Sequence, residues 1–419
     1  MSVRDPDVVV VGAGVIGLCA AWYLRKEGAE VTVLSRSPVP GGDASSGNAG
    51  MIVPSHVVPL AAPGAVAQGL RYLTSRSSPF HIKPRVDPEL IRWLWRFFRS
   101  CTEAHVARAA PVLRDQSLAS VRLFSELQSE IGDFAWNQTG LLMVYHSEKC
   151  RGENLSMAEL AESLGLRVCL LDADETLEMT PGLRPETRGS VLYEDDGRVN
   201  PSALLARLRE GLSAAGVLHA EGPGVVALDQ RGSGRVAVRL EGGSSVETGA
   251  VVLAAGAWTG RLASTVGARV PVQPAKGYSL TFPAPEMGPT LPVILSEEKV
   301  TLTPLPGALR FAGTLSLSGF DLSVDDLRVE PIRREIRRFL PELDSEEMSK
   351  GKVWVGFRPA SPDGLPVIGR LKNAPEVVVA TGHGMTGVTL GPVTGRLVAD
   401  IMSGTDPVVD PGPVDPSRF

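Results

Sequence analysis

The chain has 419 residues, 43% of them hydrophobic and 21% charged, so it is long enough for two or three globular domains and too apolar for extended disorder. A formal net charge of −5 gives no reason to expect a nucleic-acid partner. The four cysteines lack the paired spacing of a zinc site or a disulfide framework, so we expect no metal. We recognise no signal peptide and no apolar run of membrane-spanning length, so the sequence favours the cytoplasm.

The chain opens with the pattern of a buried strand, a glycine turn and a helix. Val8–Val11 is a continuous β-branched run, and apolar residues then recur at helical spacing. Gly12 permits a tight turn, Gly14 lets the backbone approach a pyrophosphate, and Gly17 lets the helix pack on the strand. The phosphates would lie at the positive end of this helix. The pattern predicts a βαβ unit of the dinucleotide-binding type.

The end of the second predicted strand, residues 31–34, leaves the identity of the dinucleotide open. An acidic residue is expected there to hold the ribose hydroxyls, but the strand is followed by Ser35 and Arg36. Ser35 can hydrogen-bond a ribose more weakly than a carboxylate can. Arg36 can receive the 2′-phosphate of NADP. These two residues therefore do not decide between FAD and NADP.

The next part of the chain combines a small-residue loop with a mainly helical region. Residues 44–50 allow backbone N–H groups to line a ligand, and the apolar Met51 indicates that the loop then turns inward. Residues 61–189 have mostly helical spacing. Within them, residues 90–99 place aromatic and cationic side chains on one helix. Such a helix either lies on a membrane surface or, more commonly, packs in the core with its arginines along the exposed edge.

Strand patterns dominate the region from residue 224 to residue 313. Residues 251–253 form a second buried strand that ends in the small residues Ala255 and Gly256, where the backbone can approach a dinucleotide. Residues 270–313 are predicted to form a wall of the substrate site. This block contains Lys276, interpreted as either a neighbouring charge or a solvated side chain, and Tyr278.

The final third contains an arginine beside two proline turns and a second glycine-rich turn. Arg358 precedes Pro359 and Pro362 amid apolar residues. Residues 381–387 follow a strand and lead into an apolar helix, so the chain can place two helix N-termini against one long ligand. FAD has two anionic parts that helix N-termini can stabilise, its pyrophosphate and its flavin, which becomes anionic on reduction.

Taken together, the glycine motif at 12–17, the loop at 44–50, and the segments 276–279, 356–364 and 382–395 resemble the D-amino acid oxidase superfamily, most closely its bacterial D-amino acid dehydrogenase branch. The resemblance covers nearly the whole chain. It implies an α/β fold, with a Rossmann-like FAD-binding domain of the glutathione-reductase type interleaved with an α+β substrate domain on an antiparallel sheet. The expected FAD-binding domain comprises residues 1–60, 190–265 and 350–419, and the substrate domain residues 61–189 and 266–349.

The resemblance also implies the residues that contact FAD. Noncovalent attachment is favoured, because residues 44–50 contain no histidine and residues 353–369 no cysteine, which leaves His56 and His383 as outside candidates for a covalent link. The expected FAD contacts are Gly12, Gly14, Val15, Ile16, Gly17, Ser35, Arg36, Ser45, Ser46, Asn48, Ala49, Gly50, Met51, Val225, Ala255, Gly256, Trp258, Arg358, Gly384, Met385, Thr386, Gly387, Val388 and Thr389.

The reaction implied is oxidative deamination of a D-amino acid, by hydride transfer from Cα to flavin N5 and hydrolysis of the imine to a 2-keto acid and ammonia. Arg358 is expected to hold the substrate carboxylate through two parallel charge-assisted hydrogen bonds. Tyr278 is a weaker candidate for a hydrogen bond or a hydrophobic wall, and no general base is assigned. Electrons are expected to pass to a quinone or carrier, with a peripheral contact at the inner face of a membrane as one possibility. One alternative is amine oxidation, either as in glycine or sarcosine oxidases or with a substrate of the D-proline or hydroxyproline type. A more distant alternative is a non-catalytic flavin-binding protein.

Overall fold

A computed structural model of the chain describes residues 6–36, 42–73, 80–83, 85–183, 187–232, 234–285, 288–340 and 351–419. The strands are β1 (Val8–Val11), β2 (Val31–Arg36), β3 (Met51–Ile52), β4 (Phe80–Ile82), β5 (Leu141–Tyr145), β6 (Val168–Leu171), β7 (Gly189–Tyr193), β8 (Gly197–Arg198), β9 (Leu218–Gly222), β10 (Val225–Arg231), β11 (Arg235–Leu240), β12 (Ser245–Thr248), β13 (Ala250–Leu253), β14 (Gln273–Pro283), β15 (Val293–Leu295), β16 (Val300–Leu305), β17 (Ala308–Leu317), β18 (Lys352–Ala360), β19 (Val367–Leu371) and β20 (Ala374–Thr381).

The α-helices are α1 (Val15–Lys26), α2 (Ala65–Leu73), α3 (Pro88–Ser100), α4 (Glu103–Ile131), α5 (Glu148–Ser163), α6 (Ala173–Met179), α7 (Pro201–Ala214), α8 (Thr259–Ser264), α9 (Asp326–Phe339) and α10 (Gly391–Ser403). Short 3-10 helices cover Gly256–Trp258, Gly412–Val414 and Pro416–Arg418. Within the described ranges, none of the helices combines the length and the apolar character needed to cross a bilayer.

The first sheet has six strands in the order β19-β20-β13-β1-β2-β9. Its strands are parallel, except that β19 runs antiparallel to β20. At its centre Val10 lies between Val33 and Val252 and is fully buried, as expected of a β-branched strand covered on both faces. This sheet contains the predicted βαβ unit and brings the strand ends at residues 11, 34, 253 and 381 to one edge.

The second sheet has nine strands, β18-β14-β17-β16-β15-β5-β7-β6, with β4 beside β17. Its long neighbours β14, β17 and β18 are antiparallel. β18 belongs to this sheet, although it lies within the range predicted for the FAD-binding domain. The smaller sheets are β10-β11-β12 and β3-β8.

Side-chain caps set the starts of two helices. The region from residue 88 to 131 forms two helices, because the hydroxyl of Thr102 accepts a hydrogen bond from the N–H of His105 and so caps a new helix, α4. Helix α9 begins at Asp326 and is capped by the carboxylate of Asp325, which accepts from the N–H of Leu327.

Helices α1 and α10 lie side by side and point in the same direction. A Cβ atom on Gly391 would lie 2.8 Å from Cγ2 of Val15, and one on Gly395 would lie 2.5 Å from the carbonyl carbon of Cys19. Val15 and Gly391 are the first residues of the two helices, and Cys19 and Gly395 each lie one turn further along. The two helix N-termini are therefore adjacent, which the two glycine-rich turns had predicted.

Candidate active site

The first glycine turn is shaped for close approach of a ligand to the backbone. Gly12 has φ +114°, and a Cβ atom there would lie 2.4 Å from the carbonyl oxygen of Ala254. A Cβ atom on Gly17 would lie 1.9 Å from the carbonyl oxygen of Gly12, so the helix packs on the turn only with glycine. Gly14 is the N-cap of α1, and the N–H of Val15 donates to Oγ of Ser45 at 3.1 Å. The turn thus places the start of α1 beside the predicted loop.

The end of β2 provides hydrogen-bonding and cationic groups beside the nucleotide unit. Oγ of Ser35 lies 3.0 Å from Nε2 of His219, and Glu221 is the register partner of Ser35 on β9. An acid therefore does lie near this strand end, supplied by a neighbouring strand. Arg36 stacks its guanidinium 4.1 Å from the ring centroid of Trp258. Ser35, Arg36 and Trp258 are thus close together, as the predicted set requires.

The loop at residues 42–50 is held in one conformation by its own side chains. The carboxylate of Asp43 accepts from the N–H groups of Ser45 and Ser46 at 2.9 and 2.7 Å. The amide oxygen of Asn48 accepts from the N–H of Gly50 at 2.8 Å. An aspartate that binds the N–H groups two and three residues later is a local signal in the sequence, and our sequence analysis missed it.

The same loop is fastened to one face of the second sheet. Ser279 donates to the carbonyl of Gly47 at 2.9 Å, and Gly47 lies so close to the ring of Trp354 that a Cβ atom would come within 2.0 Å. Arg310 donates to the carbonyls of Ser46 and Asn48 at 3.1 and 2.7 Å. Arg310 and Trp354 were not predicted, because their partners lie far away in the sequence.

Arg358 lies on this same sheet face. Directly opposite residues of an antiparallel pair share a face and side chains alternate along a strand, so Arg358, paired with Ala275, shares its face with Trp354 and Ser279. A Cβ atom on Gly277 would lie only 1.7 Å from Nη1 of Arg358, so the guanidinium occupies the space that a side chain at residue 277 would need. Burial lowers the pKa of Arg358 from 12.5 to about 10, so the guanidinium remains charged at neutral pH. Among the described residues, no carboxylate pairs with it.

The second glycine turn contacts both the arginine strand and the segment after the loop. The N–H of Gly384 donates to the carbonyl of Pro359 at 2.8 Å, next to Arg358. Oγ1 of Thr389 donates to the carbonyl of Met51 at 3.2 Å. Oγ1 of Thr381 donates to the carbonyl of Gly256 at 2.9 Å. These contacts join the predicted contacts from residues 51, 256 and 384–389 into one region.

The remaining predicted contacts differ in how their side chains lie. Val388 is buried in the core and Met385 is 55% exposed. Val225 lies on β10, in the separate three-stranded sheet, and is partly buried. The buried His383 approaches Oγ1 of Thr394 with Nε2 at 2.9 Å, whereas its Nδ1 has no hydrogen-bond partner within the described part of the chain. Burial also lowers the pKa of His383 to about 3, so its ring is neutral.

Tyr278 does not lie beside Arg358. It pairs with Val355, and therefore points to the opposite face of the sheet, where it packs in the core with Ile332 of α9. Its hydroxyl hydrogen-bonds the backbone of Asp325, and burial raises its pKa to about 12. The prediction that Tyr278 contacts substrate at the Arg358 site does not fit this placement, because a β-sheet separates the two side chains.

Lys276 lies on the same far face and is 2% exposed, which excludes the interpretation of a solvated lysine. Its ammonium donates to the carbonyl of Ser323 and lies 5.5 Å from the ring centroid of Tyr278. Burial lowers its pKa.

The arrangement fits a dinucleotide cofactor that extends from the first glycine turn to Arg358. Two adjacent helix N-termini are suited to anionic groups, the glycines at the first turn leave no room for side chains, and the buried Nδ1 of His383 lacks a partner among the described residues. The fold and these features are those of a dinucleotide-dependent oxidoreductase.

Comparison with known proteins identifies the family. The model of the DAO family, described as FAD dependent oxidoreductase, matches residues 7–401, and the chain belongs to this family. It is 32% identical to a D-amino acid dehydrogenase from Vibrio atlanticus over 95% of this chain and 96% of that protein, and 31% identical to one from Xanthobacter autotrophicus over 98% and 99%. The protein is thus an FAD-dependent enzyme, which confirms the predicted family and cofactor and settles the choice between FAD and NADP.

Solved structures give the same fold. Glycine oxidase from Geobacillus kaustophilus superposes with a TM-score of 0.77 at 25% identity, covering 99% of both chains. L-proline dehydrogenase from P. horikoshii, at 20% identity, superposes with a TM-score of 0.73 over 99% of this chain and 98% of that chain. The predicted α/β fold class is confirmed.

Proposed function

We propose that this enzyme oxidises a D-amino acid to a 2-keto acid and ammonia, and passes the electrons to a quinone or an electron carrier. The observation that carries the proposal is Arg358, a partly buried cation without a carboxylate partner among the described residues, between the small-residue loop and the second glycine turn. The D-amino acid dehydrogenases from Vibrio atlanticus and Xanthobacter autotrophicus support the choice of substrate class.

Arg358 has the chemistry to orient such a substrate. Its planar fork can hold a carboxylate through two parallel hydrogen bonds, and burial strengthens this interaction because water competes less. The backbone of Gly277 leaves the space that the guanidinium occupies, so the guanidinium lies against β14.

FAD, when bound, would supply the acceptor for the substrate hydride, which carries both electrons. We assign its pyrophosphate to the start of α1 at Gly14 and Val15, and its flavin to the space bordered by residues 45–51, Arg358 and residues 384–389. Both helix N-termini stabilise negative charge there. The Nδ1 atom of the neutral His383 has no partner among the described residues, and we propose that it holds a cofactor oxygen in the tautomer that carries the proton on Nδ1. We propose noncovalent attachment, which release of FAD from acid-denatured protein tests.

We propose that the six-stranded sheet and its helices form the FAD-binding domain and that the nine-stranded sheet belongs to the substrate domain. The division follows the predicted ranges, except that β18 and residues 190–193 of β7 belong to the second sheet. Since β18 carries Arg358 and contacts both Gly42 and Gly384, it is the strand at which cofactor and substrate meet.

We propose that α3 contacts a membrane surface, where a quinone acceptor is found. The exposed apolar residues Ile91, Trp95 and Phe98, here called the apolar stripe of α3, recur at helical spacing and are 59%, 57% and 62% exposed. Arg92 and Arg99 lie alongside them, and cationic side chains beside an exposed apolar face favour an anionic lipid surface.

The test of the proposed function is an anaerobic titration of the yellow holoenzyme with D-amino acids, their L-forms, glycine and sarcosine. Bleaching of the flavin by D-amino acids in preference to the others supports the proposal. Slow recolouring in air, and fast recolouring with a quinone, identifies a dehydrogenase. Bleaching by glycine or sarcosine alone would instead support an oxidase of the kind represented by the Geobacillus kaustophilus structure.

A further inference from the structure

A cavity of about 750 Å³ lies between α3, α8 and the segment that joins α8 to β14. Of the described residues that line it, none is a predicted FAD contact. α8 presents its small residues Gly260 and Ser264 to the cavity, which leaves the space open.

The cavity has a local excess of positive charge, although the whole chain carries a formal charge of −5. Three acidic side chains also line it. Asp87 is paired with Arg85 at 3.0 Å, and Asp321 lies 3.8 Å from Lys83 outside the lining, which leaves Glu89 as the one acid of the described lining without an ion pair. The lining arginines are Arg85, Arg92, Arg96, Arg261 and Arg269.

Two other lining arginines have contacts of a different kind. Arg261 lies 4.2 Å from the ring centroid of Phe320. Arg96 donates to the terminal backbone oxygen of Phe419, the last residue of the chain, at 2.9 Å. Burial and the nearby charge of Arg269 lower the pKa of Arg96, so two cations of the lining lie close enough to repel one another. Within the described ranges, no Asp or Glu side chain pairs with Arg92, Arg261 or Arg269. Positive charges that lie close together repel one another, and a bound anion reduces this repulsion.

We propose that this cavity binds an anion bearing phosphate groups. Guanidinium forks from α3 and from the α8–β14 segment converge on it, and such forks match phosphate oxygens in pairs. The volume exceeds that of a single phosphate and suits a diphosphate or a phosphate ester. The same chemistry is offered by a soluble phosphate compound and by the headgroup of an anionic phospholipid, and Arg92 lies next to the apolar stripe of α3.

The site is independent of the proposed reaction, so its test uses binding rather than turnover. FAD-saturated holoenzyme is titrated with inorganic pyrophosphate in a calorimeter. We expect one saturable site, weakened at least tenfold by the double variant Arg92→Gln and Arg269→Gln, and weakened also by Ser264→Glu, which leaves every arginine in place and adds a carboxylate to the lining. Arg99→Gln is the matched control, because it removes a cation from α3 that does not line the cavity.

Absence of saturable binding, or equal weakening by Arg99→Gln and the cavity variants, would overturn the proposal. A second experiment distinguishes the two sources of phosphate, using vesicles of phosphatidylcholine with and without phosphatidylglycerol. Release of vesicle-bound holoenzyme by pyrophosphate, lost in the double variant, assigns the cavity to a lipid headgroup. Saturable pyrophosphate binding without release assigns it to a soluble phosphate compound.

Discussion

Replacing Arg358 by Met is expected to weaken substrate binding while stabilising the substrate-free enzyme. Burial lowers the pKa of Arg358 from 12.5 to about 10, which corresponds to about 3 kcal/mol of cost to the charged form. In the substrate-free protein no described carboxylate repays that cost. Methionine, an apolar chain of similar length, removes it. An arginine with a purely structural ion pair would give the opposite effect on stability.

With substrate bound, the same change removes a desolvated charge pair. Loss of one partner of such a pair costs about 4 kcal/mol, or roughly a thousandfold in KM. The assay has two parts: steady-state kinetics with a quinone acceptor, and thermal unfolding of the holoenzyme without substrate. We expect a strongly raised KM, an unchanged FAD content and a Tm no lower than that of the wild type.

Arg310→Met is the matched control, because it removes another buried arginine from the same sheet face. Arg310 donates to Oγ1 of Thr281 and to the carbonyls of Ser46 and Asn48, so its loss is expected to lower Tm and to release FAD. If Arg358→Met behaves like this control, or if its KM is unchanged, Arg358 is structural and the proposed substrate site is wrong.

Three further predictions concern other regions. Gly277→Ala is expected to displace the neighbouring guanidinium, raising KM at least tenfold with FAD retained, and a KM equal to the wild-type value would contradict the contact. Burial raises the pKa of Asp196 from its ordinary 3.8 to about 8, so between these pH values the folded state binds a proton that the unfolded state lacks, and this group's contribution to stability falls as pH rises. Asp196→Asn should therefore raise Tm more at pH 8 than at pH 5, and an equal change at both pH values would contradict this reasoning. Trp95→Ser with Phe98→Ser should reduce vesicle binding without changing turnover in solution with a soluble quinone, and unaltered vesicle binding would exclude the apolar stripe as the contact.

The nucleotide unit was predictable because its determinants are local. The turn at Gly12 depends on a positive φ and on the absence of a side chain, and both are encoded by glycine within a strand-to-helix pattern. The family motifs then supplied FAD, which Ser35 and Arg36 alone had left undecided. Glu221 was missed because it reaches that strand end from β9, through pairing that the sequence does not specify.

The sheet faces were not predictable, because they depend on register. Tyr278 and Arg358 lie on neighbouring strands, and a shift of one residue in the pairing of β14 with β18 would have placed them on the same face. The same alternation of side chains buries Lys276, for which a solvated side chain had been one of two interpretations. Arg310 contacts the loop across 264 residues of sequence, a distance over which no local pattern operates.

The adjacent starts of α1 and α10 also bear on how the enzyme is made. The hydrogen bond from Val53 to Thr389 spans 336 residues, and the first βαβ unit lacks its neighbour β13 until residue 253 has been synthesised. A nascent chain that has only α1 therefore presents half of a cofactor site. On the proposed placement of FAD, stable uptake needs the arrival of α10 against Cys19, so we expect the flavin content of the protein to follow the completion of folding. A bulky residue at Gly395 would then yield colourless enzyme without touching the cofactor.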